Sequence, residues 1–289
     1  MKFLNSIYYR TGATQYELSE ADALTNYYID SLERIRIEEN ISRFTLAGHS
    51  LGGYLCARYA LKHRQHVSNL ILISPVGIPE HPPVSSQVEP SKLDWKVRVA
   101  LQLWKYDWTP QSIVRAMGSR GPQAVTGMIQ RRFGSSRWDA PELGLVSDYV
   151  YHITAAPASG QHVLNILLQT IFVDPSHRND PNGNQLRTGV YAKLPLEHDL
   201  CALKVPILLL FGDDDWMAHP TAARSVERWN LARKSDTDKT ALPNNGDVEE
   251  KKEAPAKLLV VPGAGHHLYL DNPDFFSRAI GDWASSWTN

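Results

Sequence analysis

Short unbroken apolar runs, set between stretches of helical periodicity, organise this chain. Four of them have strand length: Phe44-Thr45-Leu46-Ala47, Leu70-Ile71-Leu72-Ile73, Ile207-Leu208-Leu209-Leu210-Phe211 and Leu258-Leu259-Val260-Val261. Runs that are continuous rather than alternating predict strands covered on both faces. Their interleaving with helical segments predicts a mostly parallel α/β sheet. Ahead of the first run, Leu24, Tyr28, Leu32 and Ile35 recur at helical spacing, with Ser19 as the expected N-cap and Asp22 three residues on. A second helix is expected to run through Lys62, and a last one over about residues 272–283.

Between about residues 80 and 203 the pattern changes to a helix-like stretch rich in Trp, Arg, Gly and Pro. The expected organisation is a first core part over 1–80, a helical cap over 81–203 and a second core part over 204–289. Within the last, about residues 234–256 are polar, highly charged and nearly free of apolar side chains. Such a segment cannot bury enough surface to order itself and is expected to be a disordered insertion.

Composition narrows the function classes. The 289 residues carry a formal net charge of -1, with 43% hydrophobic and 21% charged residues. A balance that near neutral argues against nucleic-acid binding, which needs a strongly basic face. Cys56 and Cys201 are the only cysteines, too few for a disulfide scaffold or a cysteine-rich zinc site. No apolar run approaches the roughly 20 residues of a membrane-spanning helix, and the first residues lack the apolar stretch of a secretory signal. An intracellular protein is expected. No metal site or cofactor is called for: the histidines lack zinc spacing, and Asp213-Asp214-Asp215 lacks the pattern of a calcium loop.

The candidate chemistry begins at Gly48-His49-Ser50-Leu51-Gly52. A G-x-S-x-G pattern arises by chance in about one chain of this length in ten, so its placement matters more than its presence. It falls where a buried strand turns into a helix, the setting in which a tight turn exposes a nucleophilic serine between clash-avoiding glycines. The start of the helix also brings the Leu51 N–H near Ser50 as half of an oxyanion hole. A serine hydroxyl needs a base to take its proton. Of 11 histidines, His266 follows the last strand in Gly263-Ala264-Gly265-His266 and is the expected base, with His267 adjacent. The base in turn needs a carboxylate. Gly212-Asp213-Asp214-Asp215 follows the third run and offers three, two of which could simply cap the turn. Asp215 is the expected partner. The chain order Ser50…Asp215…His266, each just after a strand, is that of α/β-hydrolases.

On these residues the chain resembles the α/β-hydrolase branch that holds cardiolipin deacylases and lysophosphatidic acid acyltransferases. Residues 48–79 (GHSLGGYLCARYALKHRQHVSNLILISPVGIP) carry the likeness, together with Asp148-Tyr149-Val150-Tyr151-His152, residues 211–217 and residues 263–271. The resemblance implies serine-dependent cleavage or transfer of a phospholipid acyl chain. It also implies a His-x4-Asp motif associated with acyl transfer, matched by His266 and Asp271, although Asp271 could equally cap the terminal helix. An animal relative, a lipase co-activator, carries Asn where this chain has Ser50. Relatives have an eight-stranded sheet with the elbow after the fifth strand, and a His-Gly pair supplies their other oxyanion donor. Only 43 residues precede Phe44, and no such pair is present. A βαβ unit takes 30 residues or more, so the expectation is a chain lacking its N-terminal strands, with the edge of Phe44-Ala47 open.

The cap adds a second theme. Residues 91–140 hold nine basic residues (Lys92, Lys96, Arg98, Lys105, Arg115, Arg120, Arg131, Arg132, Arg137) against Asp94, Asp107 and Asp139, interleaved with Trp95, Trp104, Trp108 and Trp138. Leu93, Val97, Leu101 and Trp104 recur at helical spacing. A basic Trp-bearing amphipathic helix suits an anionic membrane surface; the same stripe would serve equally to pack on the core. With the resemblance, the expected partners are a phospholipid or lysophospholipid and the surface of mitochondrial or lipid-droplet membranes. Met117 and Met128 are candidate linings for an acyl pocket. Two rival readings share the fold: a non-catalytic lipid-binding regulator and a soluble carboxylesterase.

Overall fold

A computed structural model of the chain describes residues 14–106, 108–133, 138–158, 160–173, 187–218, 221–240 and 255–287. It divides into two compact units, one within residues 1–87 and 167–289 and the other within 88–166. The division differs from the expected one at both ends. Residues 81–87 and 167–203 belong with the core rather than the cap. The reason is a two-stranded antiparallel sheet of β3 (Leu168–Val173) and β4 (Arg187–Ala192), which no apolar run had announced.

The core unit opens with α1 (Gln15–Glu38), followed by β1 (Phe44–His49), α2 (Leu51–Lys62) and β2 (Val67–Ile73). Helix α1 starts earlier than expected. Thr14, not Ser19, is the N-cap: it accepts from the Glu17 N–H while the Glu17 carboxylate accepts from the Thr14 N–H, closing a capping box. Its buried positions are Leu18, Ala21, Thr25 and Ile29, so the buried stripe is displaced from the expected one, and Ile35 is exposed.

Four parallel strands, β1, β2, β5 (Ile207–Gly212) and β6 (Ala256–Val261), form the main sheet in the order β1-β2-β5-β6. The inner strands β2 and β5 are covered on both faces, as their unbroken apolar runs require, while the outer strands β1 and β6 are partly open, with Val260 exposed. Ile71, Ile73, Leu208, Leu210 and Val261 pack with Leu268 and Trp283, and with Phe275, Phe276 and Ile280 of the final helix. The alternate residues Leu70, Leu72 and Leu209 are also buried, and alternation sends them to the opposite face. Burying one such side chain contributes about 1.5–3 kcal/mol, so these two layers hold the strand ends in place. Strand β1 pairs with β2 alone among the described residues and is an edge strand, with Ala47 exposed.

The second unit holds α3 (Trp95–Lys105), α4 (Pro110–Ala116), α5 (Gly121–Phe133) and α6 (Ala140–Ala155); the short α7 (Val163–Leu167) leads the chain back to the core. Helix α5 buries Val125, Ile129 and Phe133 at four-residue spacing. Arg115 ties α4 to the end of α6 by donating to the carbonyls of Thr154 (3.1 Å) and Ala156 (3.4 Å) and to Gln161 (3.0 Å). Leu93 is buried and Val97 and Leu101 are half-buried, while Trp95, Val99 and Leu103 form a separate exposed line on α3; the Trp104 side chain lies outside the described residues. Met117 and Met128 are exposed.

In the last third, α8 (Ala222–Thr240) precedes β6, and α9 (Leu268–Asp271) and α10 (Pro273–Ser285) end the fold. Residues 234–240, expected in the disordered insertion, continue α8, and Ala256 already belongs to β6; residues 241–254 lie outside the described residues.

Two predictions follow from how α1 and α2 frame β1. Glu33 of α1 accepts from Arg36 (2.8 and 2.9 Å) and from the Tyr59 hydroxyl of α2 (2.6 Å). The Arg36 hydrogen bond, more than any other cause, lowers its pKa from 4.5 to about 2. A depressed folded-state value adds stability above the unfolded pKa that is lost as pH falls through the folded one. Glu33→Gln is therefore expected to flatten the fall in stability between pH 4.5 and about 2, by about 1 kcal/mol once solvent screening is allowed for. Urea midpoints measured across that window check it.

The joint between β1 and α2 supplies the other. A Cβ on Gly48 would run into the Gly52 carbonyl and meet Cys56 Sγ at 2.7 Å, and one on Gly53 would meet Pro75 Cβ at 2.9 Å. Gly52, by contrast, faces open space, so the second glycine demanded by packing is Gly53 rather than the one inside the G-x-S-x-G pattern. Gly48→Ala is expected to destabilise by about 1–3 kcal/mol through overpacking. Gly52→Ala is expected to be neutral or to gain up to about 1 kcal/mol of helix propensity. Thermal melts of the two variants separate them.

Candidate active site

Ser50 sits between β1 and α2 with φ 54° and ψ -119°, a left-handed conformation that non-glycine residues rarely adopt. Its main chain is held by the sheet: the Ser50 N–H donates to the Ile73 carbonyl (2.9 Å), and the Ser50 carbonyl accepts from Val76 and Tyr54 (both 3.3 Å). The turn lifts the side chain off the strand end. Leu51 is the first residue of α2, so its N–H has no acceptor within the helix.

The structure brings three of the expected residues together. Ser50 Oγ lies 3.1 Å from His266 Nε2, and His266 Nδ1 lies 3.2 Å from Asp215 Oδ1. With Nδ1–H donated to the carboxylate, Nε2 is left as an acceptor for the Ser50 hydroxyl proton. Asp215 is 7% exposed. Burial pushes its pKa up, but hydrogen bonds from His266, the Ser74 hydroxyl (2.5 Å) and the Met217 N–H (2.9 Å) outweigh it and hold the carboxyl below its ordinary value. The group is thus a carboxylate at neutral pH, able to orient the imidazole and balance a charge on it.

The neighbouring acids have other work. Asp213 accepts from the N–H groups of Gly263 (2.9 Å) and Ala264 (3.0 Å), which lower its pKa. The Asp214 N–H donates to the Ala264 carbonyl (3.0 Å). Asp271 accepts from the Gly265 N–H (2.9 Å), one residue before His266. It does not cap the terminal helix; Asn272 does, accepting from the Phe275 N–H (3.2 Å). Gly212 must be glycine, since a Cβ there would strike the Ala264 carbonyl. The turn that carries His266 is therefore fixed at successive peptide groups. His267 precedes α9 and stands edge-on to His266, with ring centroids 5.5 Å apart.

Sequence reasoning missed three residues around this relay. Ser74, left-handed at the end of β2 (φ 42°), supplies a hydrogen bond to Asp215; its only signal was its place directly after a buried strand. Trp216 is 66% exposed with its ring centroid 5.1 Å from that of His266. His49, the variable residue of the elbow pattern, packs against the His266 ring (4.7 Å) and bonds the His266 carbonyl through Nε2 (2.8 Å). Among the described residues, no three His, Cys, Asp or Glu side chains are grouped as metal ligands would be.

The family model described as "alpha/beta hydrolase fold" matches residues 17–273. A rice protein named "Probable 1-acylglycerol-3-phosphate O-acyltransferase" is 33% identical over 259 residues, 88% of this chain and 53% of its own. A human "(Lyso)-N-acylphosphatidylethanolamine lipase" is 24% identical over 264 residues, 90% of this chain and 64% of its own. The chain thus spans between about half and two thirds of the length of these relatives. Among solved structures, the Rhodococcus 2-hydroxy-6-oxo-6-phenylhexa-2,4-dienoate hydrolase is alike in fold, with a TM-score of 0.52 at 11% identity over 91% of this chain and 71% of that one. With a parallel sheet flanked by helices, an elbow after β1 and a family match over most of its length, the chain belongs to the alpha/beta hydrolase fold family.

Proposed function

We propose that the chain is a serine-dependent acyl hydrolase or acyltransferase acting on the acyl esters of phospholipids or lysophospholipids. The observation that carries the reading is the relay Ser50 Oγ–His266 Nε2 (3.1 Å) and His266 Nδ1–Asp215 Oδ1 (3.2 Å). Support for the substrate class comes from the names of the rice and human relatives. Ser50 Oγ attacks the ester carbonyl as its proton passes to His266 Nε2, while Asp215 balances the imidazolium. The Leu51 N–H donates to the developing oxyanion. Collapse of the tetrahedral intermediate breaks the C–O bond, and His266 returns the proton to the leaving alcohol. Water or a lysophospholipid hydroxyl, deprotonated by His266, then takes the acyl group and frees Ser50. In this reading the His266…Asp271 motif contributes by holding the Gly265 N–H, and with it the base, in position.

A fluorophosphonate probe checks the nucleophile. It is expected to label the wild type and not Ser50→Ala, while Asp215→Asn loses about 10⁴ in turnover of an acyl ester with its fold intact. Absence of labelling in the wild type would remove the reading.

The surface reading rests on α3. Trp95, Val99 and Leu103 are exposed at four-residue spacing, the helix contains no acidic residue, and Lys92, Lys96 and Arg98 lie on or beside it. Apolar side chains with cationic neighbours suit insertion at an anionic lipid surface. No described helix is long and apolar enough to cross a membrane, so the contact proposed is peripheral, at a mitochondrial or lipid-droplet surface. Flotation with vesicles containing phosphatidylserine is expected to carry the wild type, and Trp95→Ala with Val99→Ser to weaken binding several-fold; equal flotation on neutral vesicles would count against it. Flotation that survives Ser50→Ala in a chain without turnover would instead favour a non-catalytic lipid-binding regulator.

A further inference from the structure

β1 and β6 are the outer strands of the main sheet, with β2 and β5 between them. Three strand spacings separate their ends, about 14 Å, yet the residues that follow them, Ser50 and His266, meet at 3.1 Å. The turn after β6 therefore has to reach back over the ends of β5 and β2. Its start and middle are fixed from β5 and α9: Asp213 holds the Gly263 and Ala264 N–H groups, and Asp271 holds the Gly265 N–H. The His266 peptide itself is met from the other side. His49, the last residue of β1 and the one directly before Ser50, has Nε2 2.8 Å from the His266 carbonyl oxygen. That bond is shorter than either bond of the relay.

We propose that His49 is a positioning residue for the reaction described above: it donates its Nε2–H to the His266 carbonyl and so ties the base to the strand that carries the nucleophile. The proposal rests on the hydrolase reading. Three observations support it. The acceptor is a carbonyl, so the bond requires Nε2 to carry the proton. The ring is seated between those of His266 (4.7 Å), His267 (5.4 Å) and Tyr269 (5.3 Å, edge-on), which fixes its plane. Burial lowers its pKa and outweighs the bond to the His266 carbonyl and the Asp215 carboxylate, which act the other way, so the imidazole is neutral at pH 7 and adds no competing positive charge beside the base. The spacing is also informative: because His49 and Ser50 are adjacent, any movement of the elbow moves donor and nucleophile together, and the His266 main chain follows.

The distinguishing feature is the donor, not the ring. His49→Phe keeps an aromatic ring and removes the N–H; His49→Gln removes the ring and can present an N–H at a similar reach. His49→Phe is expected to lower kcat on a soluble acyl ester about ten- to hundred-fold, the scale of a small misplacement of a catalytic group. KM should stay within about two-fold, and fluorophosphonate labelling of Ser50 should slow by the same factor. His49→Gln is expected to recover most of the loss. Equal loss in both variants, or wild-type labelling in His49→Phe, overturns the proposal. The nitrogen spectrum of the ¹⁵N-labelled wild-type chain gives a readout that needs no turnover: His49 is expected as the neutral Nε2–H tautomer, unchanged in Ser50→Ala, and an Nδ1–H tautomer overturns the tie even if a variant fails to fold. A wild-type chain that shows the Nε2–H tautomer but never labels would defeat the hydrolase reading while leaving the tie in place.

Discussion

A buried carboxylate is the constraint on which this site depends. Asp215 is almost wholly removed from water, and an ionised carboxylate there is tolerable only while its hydrogen bonds are made. Ser74, the Met217 N–H and His266 supply them. Ser74 follows directly on β2, and Met217 lies in the turn that leaves β5, beside Asp215 itself. The third sits on a turn. If that turn drifts, His266 loses its alignment and the carboxylate loses a partner in the same movement, so the turn and the charge hold each other in place.

That coupling explains why the segment from Gly263 to His266 carries so many fixed peptide groups. Asp213, Asp214, Asp271 and His49 each hold a different part of it, and Gly212 leaves room for its carbonyl. On the nucleophile side the same logic takes a steric form. Ser50 is held left-handed, a conformation costing on the order of 1–3 kcal/mol that persists only where its surroundings over-determine it. Gly48 and Gly53 allow the helix, the strand and Pro75 to close around it, and the Ile73 carbonyl anchors its N–H.

What was legible in the sequence follows the range of the forces involved. The inner strands were readable because burial on both faces leaves an unbroken apolar run, as in Leu70–Ile73 and Ile207–Phe211, and the outer runs Phe44–Ala47 and Leu258–Val261 were readable from their apolar residues although they are only partly buried. The meeting of Ser50, Asp215 and His266 was readable because each follows such a run. The β3–β4 pair was not: its strands lie within a stretch whose composition resembles the cap, and polar residues interrupt both of them, as Gln169 and Thr170 do in β3 and Arg187 and Thr188 in β4. The start of α1 was misplaced because Ser19 and Asp22 imitate a cap that Thr14 and Glu17 make. Polarity alone misled at residues 234–240, where the main chain continues a helix that is packed further back through Val226 and Trp229. His49 carried no signal, since the elbow pattern admits any residue at that position and its partner is a carbonyl 217 residues away.

The same reasoning bears on the His-x4-Asp spacing. From His267 the chain makes one helical turn, α9, with the Asp271 N–H bonded to the His267 carbonyl (3.1 Å). One turn brings a residue back beside the one that began it, so the Asp271 carboxylate arrives at the Gly265 N–H, immediately before the base. Four residues between His266 and Asp271 leave room for the single turn of helix, begun at His267, that makes this contact. In the function proposed above, Asp271 acts on the base through the main chain, in proton abstraction and proton return alike. It would serve a water molecule and an alcohol equally, because both give their proton to the same imidazole nitrogen. On the same proposal, selection between them would fall to the groups that decide which acceptor reaches an acyl carbon on Ser50, and those are separate from the spacing that fixes the turn.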